Sequence, residues 1–204
     1  MRLSGNRATA IIVAAAAIAA LSGCTVAGLA VGAGATVGVA AVQERSIADA
    51  AKDTEIQLEV NSRLLQKDHV LFGKTSVTVV EGRVMLTGSL HREEMRDLAG
   101  RLAWSVPGVK TVYNELQVVP DNGEIEIGRD TWISSQLRTK ILTDKQIVDI
   151  NYNIDTVNGV IYLMGIAQSQ AEVDRIIAYA RDIPKVRHIV THVMLKDDPR
   201  RKAS

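Results

Sequence analysis

Val157-Asn158-Gly159-Val160 decides the fold, and Val80-Glu81-Gly82-Arg83 repeats its pattern 77 residues earlier. Asn-Gly between two apolar, β-branched runs is the strongest short hairpin signal, because a two-residue turn needs positive φ at both central positions. The same shift of 77 aligns the chain with itself without a gap. Asp53-Thr54 falls on Asp130-Thr131, and Ile56, Val60, Leu64 and Leu65 fall on Ile133, Leu137, Ile141 and Leu142. Gly88 falls on Gly165, and Pro107-x-Val109 on Pro184-x-Val186. A repeat of this quality means two copies of one small domain, too few for a solenoid.

Each copy reads as α-β-β-α-β. Asp53 and Asp130 stand where an acidic N-cap would open a helix whose apolar residues recur every three to four positions. Strands are expected near residues 76–80 and 83–87, then 153–157 and 160–164, with Gly88 and Gly165 ending the second of each pair. A second helix is expected over residues 92–105 and 169–182. Ser169 and Glu172 have capping-box spacing, Ala99, Ala103, Ile176 and Ala180 mark its buried stripe, and Pro107 and Pro184 stop it. The last strand alternates through Val112, Leu116 and Val118, matched by Ile189, Val193 and Leu195. The expected class is α+β, with a three-stranded sheet in each copy covered on one face by two helices. A core of this size is marginal alone. The two copies should therefore pack on each other through the bare sheet faces that carry Tyr113 and Val190.

Ahead of the repeat, Arg2 and Arg7 precede an apolar run from Ala8 to Leu21, the layout of a secretory signal. The run is shorter than the roughly 20 residues a spanning helix needs. Leu21-Ser22-Gly23-Cys24 resembles the bacterial lipobox, which implies cleavage before Cys24 and acyl chains such as palmitate on it. Cys24 is the one cysteine, so no intrachain disulfide can form. The next residue is Thr25 and not the aspartate that retains enteric lipoproteins in the inner membrane, which implies the outer membrane, facing the periplasm. Residues 1–23 are thus expected as signal, 24–52 as lipidated cysteine and tether, 53–120 and 130–196 as the two domains, and 197–204 as a basic tail. From Thr25 to Val42 the tether is almost wholly Ala, Gly and Val. Its glycines make a poor helix in water, although Gly28/Gly32 and Gly34/Gly38 have the spacing of close helix contacts in lipid. Gly32-Ala33-Gly34 does not continue as a phosphate loop.

The formal charge of +1 becomes −1 without Arg2 and Arg7, with 22 basic against 23 acidic residues. That balance argues against nucleic acid as a partner. Aromatic residues make up only 3% of the chain, which argues against a large aromatic binding surface.

With α-β-β-α-β written twice behind a lipobox, the chain resembles the BON family of bacterial envelope domains. The resemblance covers residues 45–195. It is most specific at Val112-Tyr113-Asn114-Glu115, at Asp130-Thr131-Trp132-Ile133, and at Asn158-Gly159 with Leu163-Met164-Gly165. It implies a non-enzymatic, periplasm-facing protein that needs no cofactor and supports outer-membrane integrity. It also implies that the second domain binds anionic phospholipid, phosphatidylglycerol or cardiolipin, through its first helix and a tryptophan at that helix's start. Trp132 matches that tryptophan, and with it Arg129, Ser135, Arg138, Thr139 and Lys140 form the expected site. The repeat supports the same helix independently. Residues 53–68 carry −2 and residues 130–145 carry +1, and Glu55 is replaced by Trp132. A tryptophan beside cations suits an anionic bilayer surface. Packing of Trp132 against copy one is the competing reading, while Trp104 reads as interface or partly buried packing.

Nothing in the chain assembles into a catalytic or metal set. His188 and His192 are four apart but lie in the last strand with the parity of Val190, so they read as open-face residues. His69 and His91 have no evident partner. The rival from another class is an adaptor that binds an envelope protein through the sheet faces, such as an outer-membrane assembly machine or an amidase regulator.

Overall fold

A computed structural model describes residues 46–120 and 127–202. The signal stretch, Cys24 and the tether as far as residue 45 lie outside these residues. Copy one consists of α1 (Ile47–Lys67), α2 (His69–Lys74), β1 (Thr75–Val80), β2 (Arg83–Leu90), α3 (Glu93–Trp104), β3 (Thr111–Asn114) and β4 (Gln117–Val118). Copy two consists of α4 (Ile127–Thr143), a 3₁₀ turn (Asp149–Asn151), β5 (Tyr152–Val157), β6 (Val160–Ala167), α5 (Gln170–Arg181) and β7 (His188–Leu195). A final turn of helix, α6, spans Pro199–Lys202. In each sheet the second strand is central. β1 and β5 pair with it antiparallel across the hairpin, and β3 and β7 pair with it parallel after a helical crossover. Strand β4 continues the third position of copy one beside Ser89 and Leu90.

The hairpins form where expected, with Glu81 at φ 54° and Gly82 at φ 74°, and Asn158 at φ 49° and Gly159 at φ 76°. The acidic residues read as N-caps do something else. Helix α1 opens at Ile47, six residues before Asp53 and just after the cap Ser46, and α4 opens three before Asp130. Residues 47–52, expected as tether, are therefore helical. Both aspartates are buried inside their helices and cap the hairpin turns instead. The Asp53 carboxylate accepts from the N–H groups of Glu81 and Gly82, both at 2.8 Å. Asp130 accepts from Asn158 at 2.6 Å and Gly159 at 2.8 Å. A tight turn points its amides the same way, and a buried carboxylate satisfies both.

Gly88 and Gly165 do not end their strands, which run on to Leu90 and Ala167. They are glycine because the edge strand enters directly against them. A Cβ would sit 2.0 Å from the Lys74 carbonyl oxygen at Gly88, and 2.1 Å from that of Asn151 at Gly165. The second helices match the expectation closely, and Ala99, Ala103, Ile176 and Ala180 are buried. The Ser169 hydroxyl accepts from Glu172 N–H, but Glu172 does not close a capping box. Its carboxylate accepts from Val148 N–H at 2.8 Å and Gln168 N–H at 2.6 Å, tying the helix to the loop after α4.

Strand parity divides the side chains between three cores. Val84, Leu86 and Leu90 of β2 face the helices of copy one. Ile161, Leu163 and Ala167 of β6 face the helices of copy two. The alternate residues meet in the middle: Val80 and Met85 of copy one pack with Val157, Tyr162, Met164 and Ile166 of copy two, flanked by Tyr113 and Val190. Fully burying such side chains contributes about 1.5–3 kcal/mol each. Polar pairs surround this third core. Gln117 donates to Val157 O and to the Tyr162 hydroxyl, both at 3.0 Å, while its oxygen accepts from Asn158 at 2.9 Å. Thr87 donates to Asp155. Buried Arg83 reaches His192 O at 2.9 Å and Gly165 O at 3.4 Å. Burial lowers its pKa from the usual range.

The sheet faces thus cover much of each other, although Ser76, Asn153 and His188, the last as expected, remain exposed. His192, expected on an open face, is at this interface: its ring stacks on Tyr113 at 3.9 Å and its Nε2 lies 2.8 Å from Glu115 Oε1. Part of the expected tail is fastened too, with Arg201 paired to Glu81 at 2.7 Å. Among the described residues, no helix is long and apolar enough to cross a membrane.

Candidate functional site

Helix α4 buries Ile133, Leu137 and Ile141 at four-residue spacing, which turns its opposite face to solvent. Trp132 lies on that outer face, 45% exposed, and Leu142 is 60% exposed. Ser135 and Thr139 fall between them at spacings of three and four, so the four side chains share one line along the helix. At that exposure Trp132 is not among the residues of the core between the copies. It stands in the second turn rather than at the start, because the helix opens earlier than its sequence suggests.

The hydroxyls on this face are turned back onto the helix. Ser135 donates to Thr131 O at 2.8 Å, Thr139 to Ser135 O at 2.9 Å and Thr143 to Thr139 O at 2.9 Å. Such bonds satisfy the donors without water, so covering this face costs less than its composition implies. The face is uncharged, apolar at both ends and internally hydrogen-bonded in between.

The cations are placed less uniformly. Arg138 is exposed beside Thr139 and Leu142. Lys140 is half-buried, with Nζ 5.5 Å over the Tyr179 ring, a cation–π distance. Tyr179 in turn donates to Asp144 at 2.8 Å. The Gln146 N–H above all, and then that bond, with Arg175 nearby, hold the Asp144 carboxyl below its ordinary range. Arg129 departs from expectation: its side chain is 13% exposed and lies 3.8 Å from Asp130, directed into the protein. Its position one residue before the buried turn-capping aspartate explains this.

Leu142 was not singled out by sequence reasoning, because its partner in the repeat, Leu65, also reads as part of an apolar stripe. Both lie off the core, each one residue past a fully buried position. The signal was the line of spacings 132-135-139-142. Trp104 is likewise not interface packing but 54% exposed, since α3 buries Ala99 and Ala103 and the next residue turns outward. Copy one also exposes Leu58 and Val70, at 66% and 62%.

Comparison with known proteins places this geometry in context. An uncharacterized protein in the gshII 5′ region of Anaplasma centrale is 38% identical over 151 residues, covering 74% of this chain and 99% of that one. The outer membrane lipoprotein DolP of Haemophilus influenzae is 31% identical over 154 residues, covering 74% and 78%. The osmotically-inducible protein Y of Escherichia coli is 26% identical over 146 residues, covering 71% and 73%. The profile described as BON domain matches residues 52–120 and again 129–197, the two halves of the 77-residue repeat. With a match over each half and the α-β-β-α-β order in both, the chain belongs to the BON family, as a tandem of two BON domains.

Proposed function

We propose that this is a non-enzymatic envelope lipoprotein that binds anionic phospholipid through α4 of its second BON domain and supports outer-membrane integrity. The observation that carries the reading is the solvent-facing line of Trp132, Ser135, Thr139 and Leu142, whose hydroxyls are already satisfied. An amphipathic helix of this kind lies in the plane of the interface, with its ring at headgroup level. Similarity to an outer membrane lipoprotein supports the location. The affinity of one short helix is modest. An acyl anchor on Cys24 makes the contact effectively intramolecular and raises occupancy without new contacts.

Two measurements test this. The two-domain part from Gln43 should bind vesicles containing phosphatidylglycerol or cardiolipin and not purely zwitterionic ones. Binding should weaken as salt rises, because exposed charges are screened over about 8 Å at physiological ionic strength. Equal binding to neutral vesicles would refute the electrostatic part. Cys24→Ser in the full chain should release the protein from the membrane fraction to the soluble periplasm. A variant that stays with the membrane through residues 25–42 would instead make that segment an inserted helix.

A second reading is favoured by the exposed apolar residues of copy one, Leu58 and Val70 above all. In it the first domain holds a protein partner, such as an assembly or amidase-regulating factor, while the second holds the membrane. Loss of partner capture by Leu58→Glu with vesicle binding intact would distinguish it.

A further inference from the structure

Helix α4 supplies few free cations for an anionic surface, since Arg129 is turned inward and Lys140 lies against Tyr179. The loop between α5 and β7 meets the hairpin turn that Asp130 of α4 caps. In copy one, α1, the hairpin turn and the loop before β3 line one open groove, shared by Glu55, Glu59, Glu81, Gly108 and Lys110. The 77-residue shift puts Trp132, Gln136, Asn158, Lys185 and Arg187 at those positions in copy two. The backbones correspond: Arg83 pairs with Thr111 as Val160 pairs with His188, the same separation in each sheet. Both loops also press on the hairpin glycine. A Cβ on Gly82 would lie 2.8 Å from Gly108 O, and one on Gly159 would lie 2.9 Å from Lys185 O and 3.2 Å from Arg187 Cγ. Between the copies, three carboxylates become uncharged side chains and a glycine becomes a lysine.

That lysine sits in a conformation that favours glycine. Lys185 has φ 69°, where Gly108 has φ 87°. A non-glycine residue there is strained, and such strain gathers at functional sites. Lys185 and Arg187 are exposed. Among the described residues, neither side chain makes a hydrogen bond or ion pair, and Asp182 is the one carboxylate in the stretch 181–188. In copy one Lys110, the counterpart of Arg187, shares its groove with Glu55 and with Glu59 and Glu81, which pair with Arg63 and Arg201, whereas in copy two the positions of the three carboxylates are neutral.

From these observations we infer that Lys185 and Arg187 are the cationic half of the membrane surface, binding the phosphates of anionic lipid headgroups beside Trp132. The inference rests on the α4 reading above and moves its charge from Arg129 to the loop. Ring and cations then approach the bilayer together, each from a different element held by the same hairpin turn.

The test uses the two-domain part, which spans nearly all of the similar Anaplasma protein. A Trp104→Phe background leaves Trp132 as the single indole. Lys185→Gly restores the residue of copy one and relieves the backbone, so the melting temperature should hold or rise. Its affinity for phosphatidylglycerol vesicles at low salt should fall about fivefold, and that of Lys185→Gly/Arg187→Gln roughly twentyfold. Lys67→Gln, an equal charge change on α1, should fall less than twofold, and Lys185→Arg should bind like the parent. Unchanged affinity of the double variant, with Trp132 still shifting blue on vesicles, would overturn this inference and leave the α4 reading standing. Calorimetric binding of inorganic phosphate without vesicles, lost in the double variant, would assign the patch to a free anion and overturn the lipid assignment. Absence of both vesicle binding and the blue shift in the parent would remove the α4 reading and this inference with it.

Discussion

Trp132→Glu is expected to weaken binding to anionic vesicles by roughly 2–3 kcal/mol, about 30- to 150-fold in affinity. The substitution removes the apolar ring from the interface and places a carboxylate against like charge. The fold should tolerate it, because copy one carries Glu55 at the equivalent position on the same helix. Trp104→Ala is the matched control: its ring is exposed to a similar extent, but on α3, outside the proposed surface. It should leave affinity within a factor of two. Arg138→Glu should weaken binding at low salt and have little effect at high salt, where its charge is screened. If Trp132→Glu binds as the parent does, and the spectrum of Trp132 is unchanged on anionic vesicles, the α4 surface is not a membrane site. The reading through copy one would then lead.

The second large effect concerns the core shared by the two sheets. Met164 is fully buried, and its side chain points away from the helices of its own domain toward Met85 and Val80. Met164→Asp should cost on the order of 4 kcal/mol or more, since the carboxylate must be buried unpaired or expose the apolar cluster. Met164→Leu, which keeps volume and polarity, should cost under about 1.5 kcal/mol. In the parent, the two domains should unfold in one transition because they share this core. In Met164→Asp the transition should broaden or split, as each domain keeps its own helix-facing core while losing its neighbour. A single transition at the parental midpoint in Met164→Asp would refute the shared core.

The sequence alone determined the architecture, for a physical reason that lies in the repeat. A two-residue turn allows one hairpin register, and a period of two sends alternate residues to opposite faces. Hence Tyr113 and Val190 could be assigned to the face on which the domains meet. The repeat also isolated Trp132 by contrast with Glu55. What sequence could not reveal were contacts between residues far apart in the chain. Asp53 and Asp130 resemble N-caps because an acidic residue before an apolar run usually is one. Their actual partners are turn amides 28 and 29 residues away. Gly88 and Gly165 resemble strand terminators, yet they are required by carbonyls arriving from Lys74 and Asn151. Charge shows the same: adjacency in sequence put Arg129 beside Trp132, whereas folding turned it inward toward Asp130 and brought the Lys185 loop against the hairpin turn. Local pattern sets the elements, but which side chain meets which surface depends on packing that joins distant segments.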